Sequence, residues 1–249
     1  MSERAPRNVP LTIWLGYWRA MMRYHRYEVH GLEHLTGGRA ALIVGYHGRP
    51  LAYDQCMLTV AIHDALGYMP HGIVHSAARR LPVFRWFSGG LGFVAGDDGS
   101  LAEAIERGEH ILVQPGGTRE GCRSALHRYQ VDWGRRTGYL RLAIKYGLPI
   151  VPVACAGVDD TYIGLNDGHR LARALNSPMG FPVWFGVGPQ GLWPLSFPFP
   201  AKFRQLIGDP IEPTLNGRPV DVDDREALQR LSAHVQTEVQ RLLNVARRL

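Results

Sequence analysis

The sequence predicts an α/β fold: a central, mostly parallel sheet flanked by helices, with an amphipathic helix at the N-terminal side. Three observations carry that reading. Ala40 to Val44, Ile111 to Val113 and Pro149 to Cys155 are short, continuous apolar runs. Runs of this kind make strands buried on both faces, as in parallel sheets. Longer helical patterns separate them, over Leu51 to Leu66, Ser100 to Arg107 and Gly138 to Tyr146. The first two runs end at turn signals, Gly45 and Pro115-Gly116-Gly117.

The chain has 249 residues, 45% hydrophobic and 20% charged, which suits a folded globule with a sizeable core. It contains no internal repeat and no Gly/Ser linker. Residues 1–30 are expected to form an N-terminal amphipathic helical segment and 31–249 a single domain. The net charge of +6 suits an anionic partner, such as a membrane surface or a phosphorylated substrate. No nucleic-acid motif is present. Cys56, Cys122 and Cys155 are far apart and form no CxxC, which fits a reduced, cytosolic setting. No run reaches the ~18 apolar residues that a membrane-crossing helix needs.

Val9 to Tyr27 places Trp14, Tyr17, Trp18, Met21 and Met22 among Arg19, Arg23 and Arg26. The arginines recur at three- and four-residue spacing and share one face. Two readings fit: a helix lying in a membrane interface, or one packed on the domain with its arginines in water. Tyr27 to Leu35 reads as a short strand and a turn. Pro50 suits the first turn of the helix that runs to Leu66. His71 to Ser76 reads as a short strand, too close to Pro70 and Gly72 for His71 and His75 to form a helical metal pair. Phe181 to Val187 and Lys202 to Ile207 are further strands. Trp193 to Pro200, proline-rich and aromatic, is expected at the surface as a lipid or acyl contact. Asp221 to Leu249 is one long helix, with Asp221, Asp223 and Asp224 at its positive end and Arg247 and Arg248 at its negative end.

The chemistry centres on Arg39 to Gln55, RAALIVGYHGRPLAYDQ. His47 follows the end of a buried strand, where open α/β sheets place their ligands. Asp54, in the first turn of the next helix, is expected to hold one imidazole nitrogen and leave the other free as a general base. A lone strand-end histidine is also a common structural residue. Gly116 and Gly117 bring backbone close to any ligand, and their N–H groups are candidates for holding an oxyanion; a plain tight connection fits them equally. No G-x-S-x-G excludes a serine hydrolase with a nucleophile elbow. No HExxH or clustered His/Asp pattern supports a metal-dependent phosphoesterase.

Four blocks, YHGRPLAYD, VQPGGTRE, YGLPIVPVA and IGDPIEP, resemble in order those of the glycerolipid acyltransferase superfamily, the lysophosphatidate-acyltransferase-like fold. The match spans roughly Tyr46 to Pro213. His47 and Asp54 are separated by six residues where the family usually has four, and Gly116 stands where its third block usually has glutamate. PGG followed by Glu120 looks more like the diacylglycerol-acyltransferase and phytyl-ester-synthase branch, which esterifies neutral acceptors. The resemblance implies transfer of a fatty acyl chain from acyl-CoA or acyl carrier protein, as co-substrate, to a lipid hydroxyl. It implies no cofactor and no metal. It also implies His47 as base, Asp54 as its orienter, and Arg79, Arg80, Gly116, Gly117, Thr118, Arg119 and Glu120 as substrate-binding residues. A peripheral place on the cytoplasmic face of an anionic membrane follows. The alternatives are a phosphorylated acceptor such as lysophosphatidate, and a lipid-binding relative that has lost activity.

Overall fold

The computed structural model describes residues 8–50, 52–73, 91, 99–177 and 182–249. Arg79, Arg80 and His75 lie outside the described residues, as do the segment around Phe87 and Phe93, Leu51, and the start of the strand expected from Phe181.

Among the described residues the main sheet has six strands. In chain order they are β1 (Glu28–His30), β2 (Leu42–Gly45), β3 (His71–Gly72), β4 (Ile111–Val113), β5 (Ile150–Ala156) and, after three short strands, β9 (Arg204–Ile207). Their spatial order is β1-β9-β5-β2-β4-β3. Strand β2 runs parallel to β4 and to β5, and β3 is parallel to β4, while β9 is antiparallel to β5. The short strands β6 (Ile163–Gly164), β7 (Gly186–Gly188) and β8 (Gly191–Leu192) form a separate antiparallel sheet. Residues β10 (Thr214–Leu215) and β11 (Arg218–Pro219) pair as a small hairpin.

The apolar runs are continuous because both sheet faces are covered. Leu42 and Val44 join one core cluster, and Ala41 and Ile43 join the other. All seven residues of β5 are buried. Truncating a fully buried residue such as Ile43 to alanine would cost roughly 2–5 kcal/mol.

Helix α1 (Val9–Tyr24) packs on α2 (Tyr53–Leu66). Leu15, Trp18 and Met21 are buried there, Trp18 meets Tyr53 edge-on, and Trp14 Nε1 donates to Thr59 Oγ1 at 3.0 Å. Arg19 is bound to Asp64 at 2.5 Å, and Arg26 reaches the Pro200 carbonyl. The expected arginine face is therefore partly spent on the protein itself. The outer side of α1 still exposes Val9, Ile13, Tyr17 and Tyr24, spaced along one stripe. The boundary expected at residue 30 falls at the end of β1, which pairs with β9 in the main sheet.

Helix α2 begins later than expected. Pro50 lies outside it, and Ala52 holds a left-handed φ of 51°, a conformation no helix can pass through. Helices α3 (Gly99–Glu106), α4 (Thr118–Gly121), α5 (Gly138–Tyr146) and α6 (Gly168–Ala174) follow. The last, α7 (Arg225–Ala246), packs along β5 with Leu231, Val235, Val239 and Leu243 buried. It is capped by Asp224, whose Oδ1 accepts from the Glu226 and Ala227 N–H groups. Among the described residues no helix is long and apolar enough to cross a membrane.

Candidate active site

Strands β2, β4 and β5 are parallel, so their carboxyl ends open on the same edge of the sheet. His47 follows β2, the PGG turn follows β4, and Asp159 follows β5. That edge is where an α/β sheet offers a crevice.

His47 is partly exposed. Its Nδ1 lies 3.1 Å from the Gly48 carbonyl oxygen. A carbonyl only accepts, so Nδ1 carries the proton and Nε2 carries the lone pair. The expected partner, Asp54, does not make this bond. Six intervening residues carry the loop away, and the Gly48 carbonyl, which also accepts from the Ala52 N–H, takes over the orienting role. Asp54 is fully buried behind the loop. Its Oδ2 accepts from Gln55 Nε2 at 3.2 Å, and its Oδ1 has no hydrogen-bond partner among the described residues. A Cβ at Gly48 would sit 2.9 Å from that Oδ1.

Burial dominates the electrostatics. It drives the His47 pKa down to about 4, aided by the nearby Arg123 charge. Burial drives Asp54 up to about 8. Glu120 is also pushed up by burial, to about 7, against the pull of Arg123 and two N–H donors. The histidine is thus unprotonated through the neutral range.

Most groups in and after the PGG turn are engaged within the protein itself. Gly117 holds φ +50°, but its N–H donates to the Gln114 carbonyl at 3.1 Å and is not open to an oxyanion. Among the described residues the Gly116 N–H donates to none. The carbonyls of Pro115 and Gly116 both accept from Arg136 Nη1, at 2.7 and 2.5 Å. Thr118 is exposed and its hydroxyl meets His169 Nε2 at 3.1 Å. Arg119 is half exposed and bound to Asp132 at 2.8 Å. Glu120, expected to touch substrate, is instead fully buried: Oε2 accepts from the His47 N–H at 3.0 Å and Oε1 from the Asp132 N–H at 2.8 Å.

A buried polar cluster behind the histidine was not foreseen. Asp159 Oδ2 accepts from the Tyr46 hydroxyl at 2.5 Å and from the Tyr129 N–H at 2.7 Å. Asp159 Oδ1 faces Arg49 Nε at 3.5 Å, and its carbonyl accepts from Arg49 Nη2. Arg123 lies 4.6 Å over the Tyr46 ring and donates to the Gln130 carbonyl. The signal was present: paired aspartates shortly after a buried strand, Arg49 inside the histidine block and Arg123 three residues past the glycine block.

Comparison with known proteins agrees with this layout. A family model described as Acyltransferase matches residues 26–156, which hold β2, His47, Asp54 and the PGG turn. A Gallus gallus protein described as "DGAT1/2-independent enzyme synthesizing storage lipids" is 30% identical over 224 residues, 89% of this chain and 62% of its own length. The Homo sapiens protein of the same description is 28% identical over 228 residues, 90% of this chain and 65% of its own. An uncharacterized Mycobacterium tuberculosis protein is 30% identical, covering 88% and 61%. The chain thus spans somewhat under two thirds of the length of these relatives. The crystal structure of the 1-acyl-sn-glycerophosphate acyltransferase PlsC from Thermotoga maritima superposes with a TM-score of 0.54 at 18% identity, over 92% of this chain and 79% of that one, which shows a shared fold. A histidine at the mouth of a parallel sheet, the glycine turn beside it and the family match over both make this chain a member of the Acyltransferase family.

Proposed function

We propose that the protein moves a fatty acyl chain from a thioester, acyl-CoA or acyl carrier protein, to the hydroxyl of a neutral lipid acceptor. The observation that carries this is the His47 imidazole, with Nδ1 donating to Gly48 and Nε2 unprotonated at the strand end. The acceptor oxygen attacks the thioester carbonyl carbon while its proton passes to Nε2. The tetrahedral intermediate collapses, the carbon–sulfur bond breaks, and the imidazolium returns the proton to the departing sulfur. The products are an ester and a free thiol. The base keeps its lone pair across the neutral range, and the Asp159 charge favours the imidazolium as it forms. The Gly116 N–H is the remaining donor of its turn for the oxyanion. Asp54 acts by shaping the loop beneath the histidine.

Three features support a neutral acceptor. Gly116 offers no side chain, Arg136 is spent on the turn's own carbonyls, and Arg119 is paired with Asp132. The relatives described as storage-lipid enzymes point the same way. An acceptor panel with one acyl donor tests this: monoacylglycerol, diacylglycerol and fatty alcohol should exceed lysophosphatidate. A clear preference for lysophosphatidate would overturn the neutral acceptor and leave the transferase. No thioester turnover with any acceptor would favour a non-catalytic lipid binder.

The protein works at the cytoplasmic face of an anionic membrane as a peripheral enzyme. The exposed stripe on α1 supports this. It continues through Tyr24, whose ring meets Phe197 at 5.5 Å, to the β8 segment, where Leu195 is 95% exposed and Leu192 and Phe197 about half. Apolar side chains of this size standing in one surface suit lipid.

A further inference from the structure

Gly116 and Glu120 occupy one space. A Cβ built on Gly116 would lie 2.0 Å from Glu120 Oε2, 2.1 Å from Cδ and 2.3 Å from Cγ. The φ of Gly116 is not in the left-handed region, so backbone freedom does not explain the glycine. It is there because the Glu120 side chain folds back over it. From that seat the carboxylate grips two loops at once, through the His47 N–H and the Asp132 N–H. The next residue, Gly121, lies directly under the imidazole.

We propose that Glu120 is a positioning residue for the reactive histidine: seated in the space a side chain at 116 would fill, its carboxylate fixes the His47 main chain and so the reach of Nε2 toward the acceptor. This rests on the transferase reading for its kinetic consequence, but the tie itself does not. It gives Glu120 no contact with substrate. It also makes positions 116 and 120 mutually exclusive seats for one carboxylate.

The test is a relocation. Glu120→Ala leaves two N–H groups without an acceptor, and Gly116→Glu forces two side chains into one space. Each single change should lower kcat about 10- to 100-fold, the scale of a misplacement near 1 Å, with KM for both substrates within about two-fold. The double change, Gly116→Glu with Glu120→Ala, returns a carboxylate to the seat and should recover most of the loss. Circular dichroism and thermal melts establish equal folding. If Glu120→Ala does not fold, Glu120→Gln, which keeps one acceptor oxygen, replaces it in the cycle. A second readout needs no turnover: in ¹⁵N-histidine-labelled protein, the His47 amide proton should move upfield when the carboxylate is removed and return in the double variant. Wild-type kcat in the folded single variant, an unmoved His47 amide, or a double variant no better than the worse single would each overturn the proposal. An enzyme inactive on every substrate whose His47 amide still responds would refute the transferase reading and leave the tie standing.

Discussion

The His47 imidazole rests on the Cα of Gly121: a Cβ there would lie 2.6 Å from Cε1 and 2.7 Å from Nδ1. The ring is therefore seated by a glycine 74 residues away, as well as by its own loop. Gly121→Ala should tilt the ring and cut turnover by at least about 10-fold, since small misplacements of a reacting group are costly. The fold should survive, because the close contacts are with the end of one side chain and the only backbone atom near, the Pro50 carbonyl oxygen, is 3.2 Å away. Unchanged kcat in a folded Gly121→Ala protein would show the ring has another place to go.

The base itself gives a pH prediction. With its pKa held near 4, His47 keeps its lone pair well below pH 6.5. The acid limb of kcat/KM should fall well below the ordinary imidazole range. His47→Ala should lose on the order of 10²–10⁴-fold at every pH above that limb. An acid limb centred at 6.5 would show an imidazole open to water.

Asp54 gives a stability prediction with a definite sign. Its folded pKa, about 8, stands above the unfolded value, so its contribution is full below about pH 4 and is lost as pH rises toward 8. Asp54→Asn cannot ionise. It should match wild type near pH 4 and melt several degrees higher near pH 8, the scale of ~1–2 kcal/mol in a domain of this size. The His47 contribution runs oppositely: its depressed pKa gives stability that is full above 6.5 and lost as pH falls toward 4. Comparing variant with wild type at each pH cancels that term. A melting difference that does not change between pH 4 and 8 would refute a buried, protonated Asp54.

Asp159 is the centre of the buried cluster. Asp159→Ala would leave the Arg49 guanidinium without its counter-charge and take the carboxylate acceptor away from the Tyr46 hydroxyl and the Tyr129 N–H. Removing one partner of a buried pair costs about 3–5 kcal/mol. The midpoint of chemical denaturation should shift accordingly, with activity lost alongside stability. A shift under about 1 kcal/mol would mean the cluster rearranges.

The apolar stripe predicts lipid binding. Ile13→Glu with Leu195→Glu should leave folding intact, since both side chains are exposed, and lower co-sedimentation with anionic vesicles. Added salt should weaken wild-type binding. Equal co-sedimentation of the double variant would make α1 a packing element alone.

The strands were legible because burial on both faces leaves an unbroken apolar run. Ile111–Val113 and the long β5 stand where those runs lie. The α5 helix and its Gly147 stop were legible for the same local reasons. What the sequence hid is long-range. The Gly48 carbonyl displaces Asp54 as the orienter through a loop whose path depends on Ala52 holding a left-handed turn. Glu120 turns inward rather than toward substrate because Gly116 leaves it room. Asp159 meets Arg49 110 residues away, and no local pattern announces such a pairing.

The loop that carries Asp132 is itself held by α7. The Val131 N–H donates to Gln240 and the Trp133 N–H to Gln236, across 109 and 103 residues. The histidine's anchorage therefore runs from His47 to Glu120 to Asp132 and on to a helix that is synthesised after every strand of the main sheet. A nascent chain that has folded its parallel strands on the ribosome still lacks that clamp. The full anchorage of His47 therefore exists only once α7 has been made and has docked against the loop of Asp132.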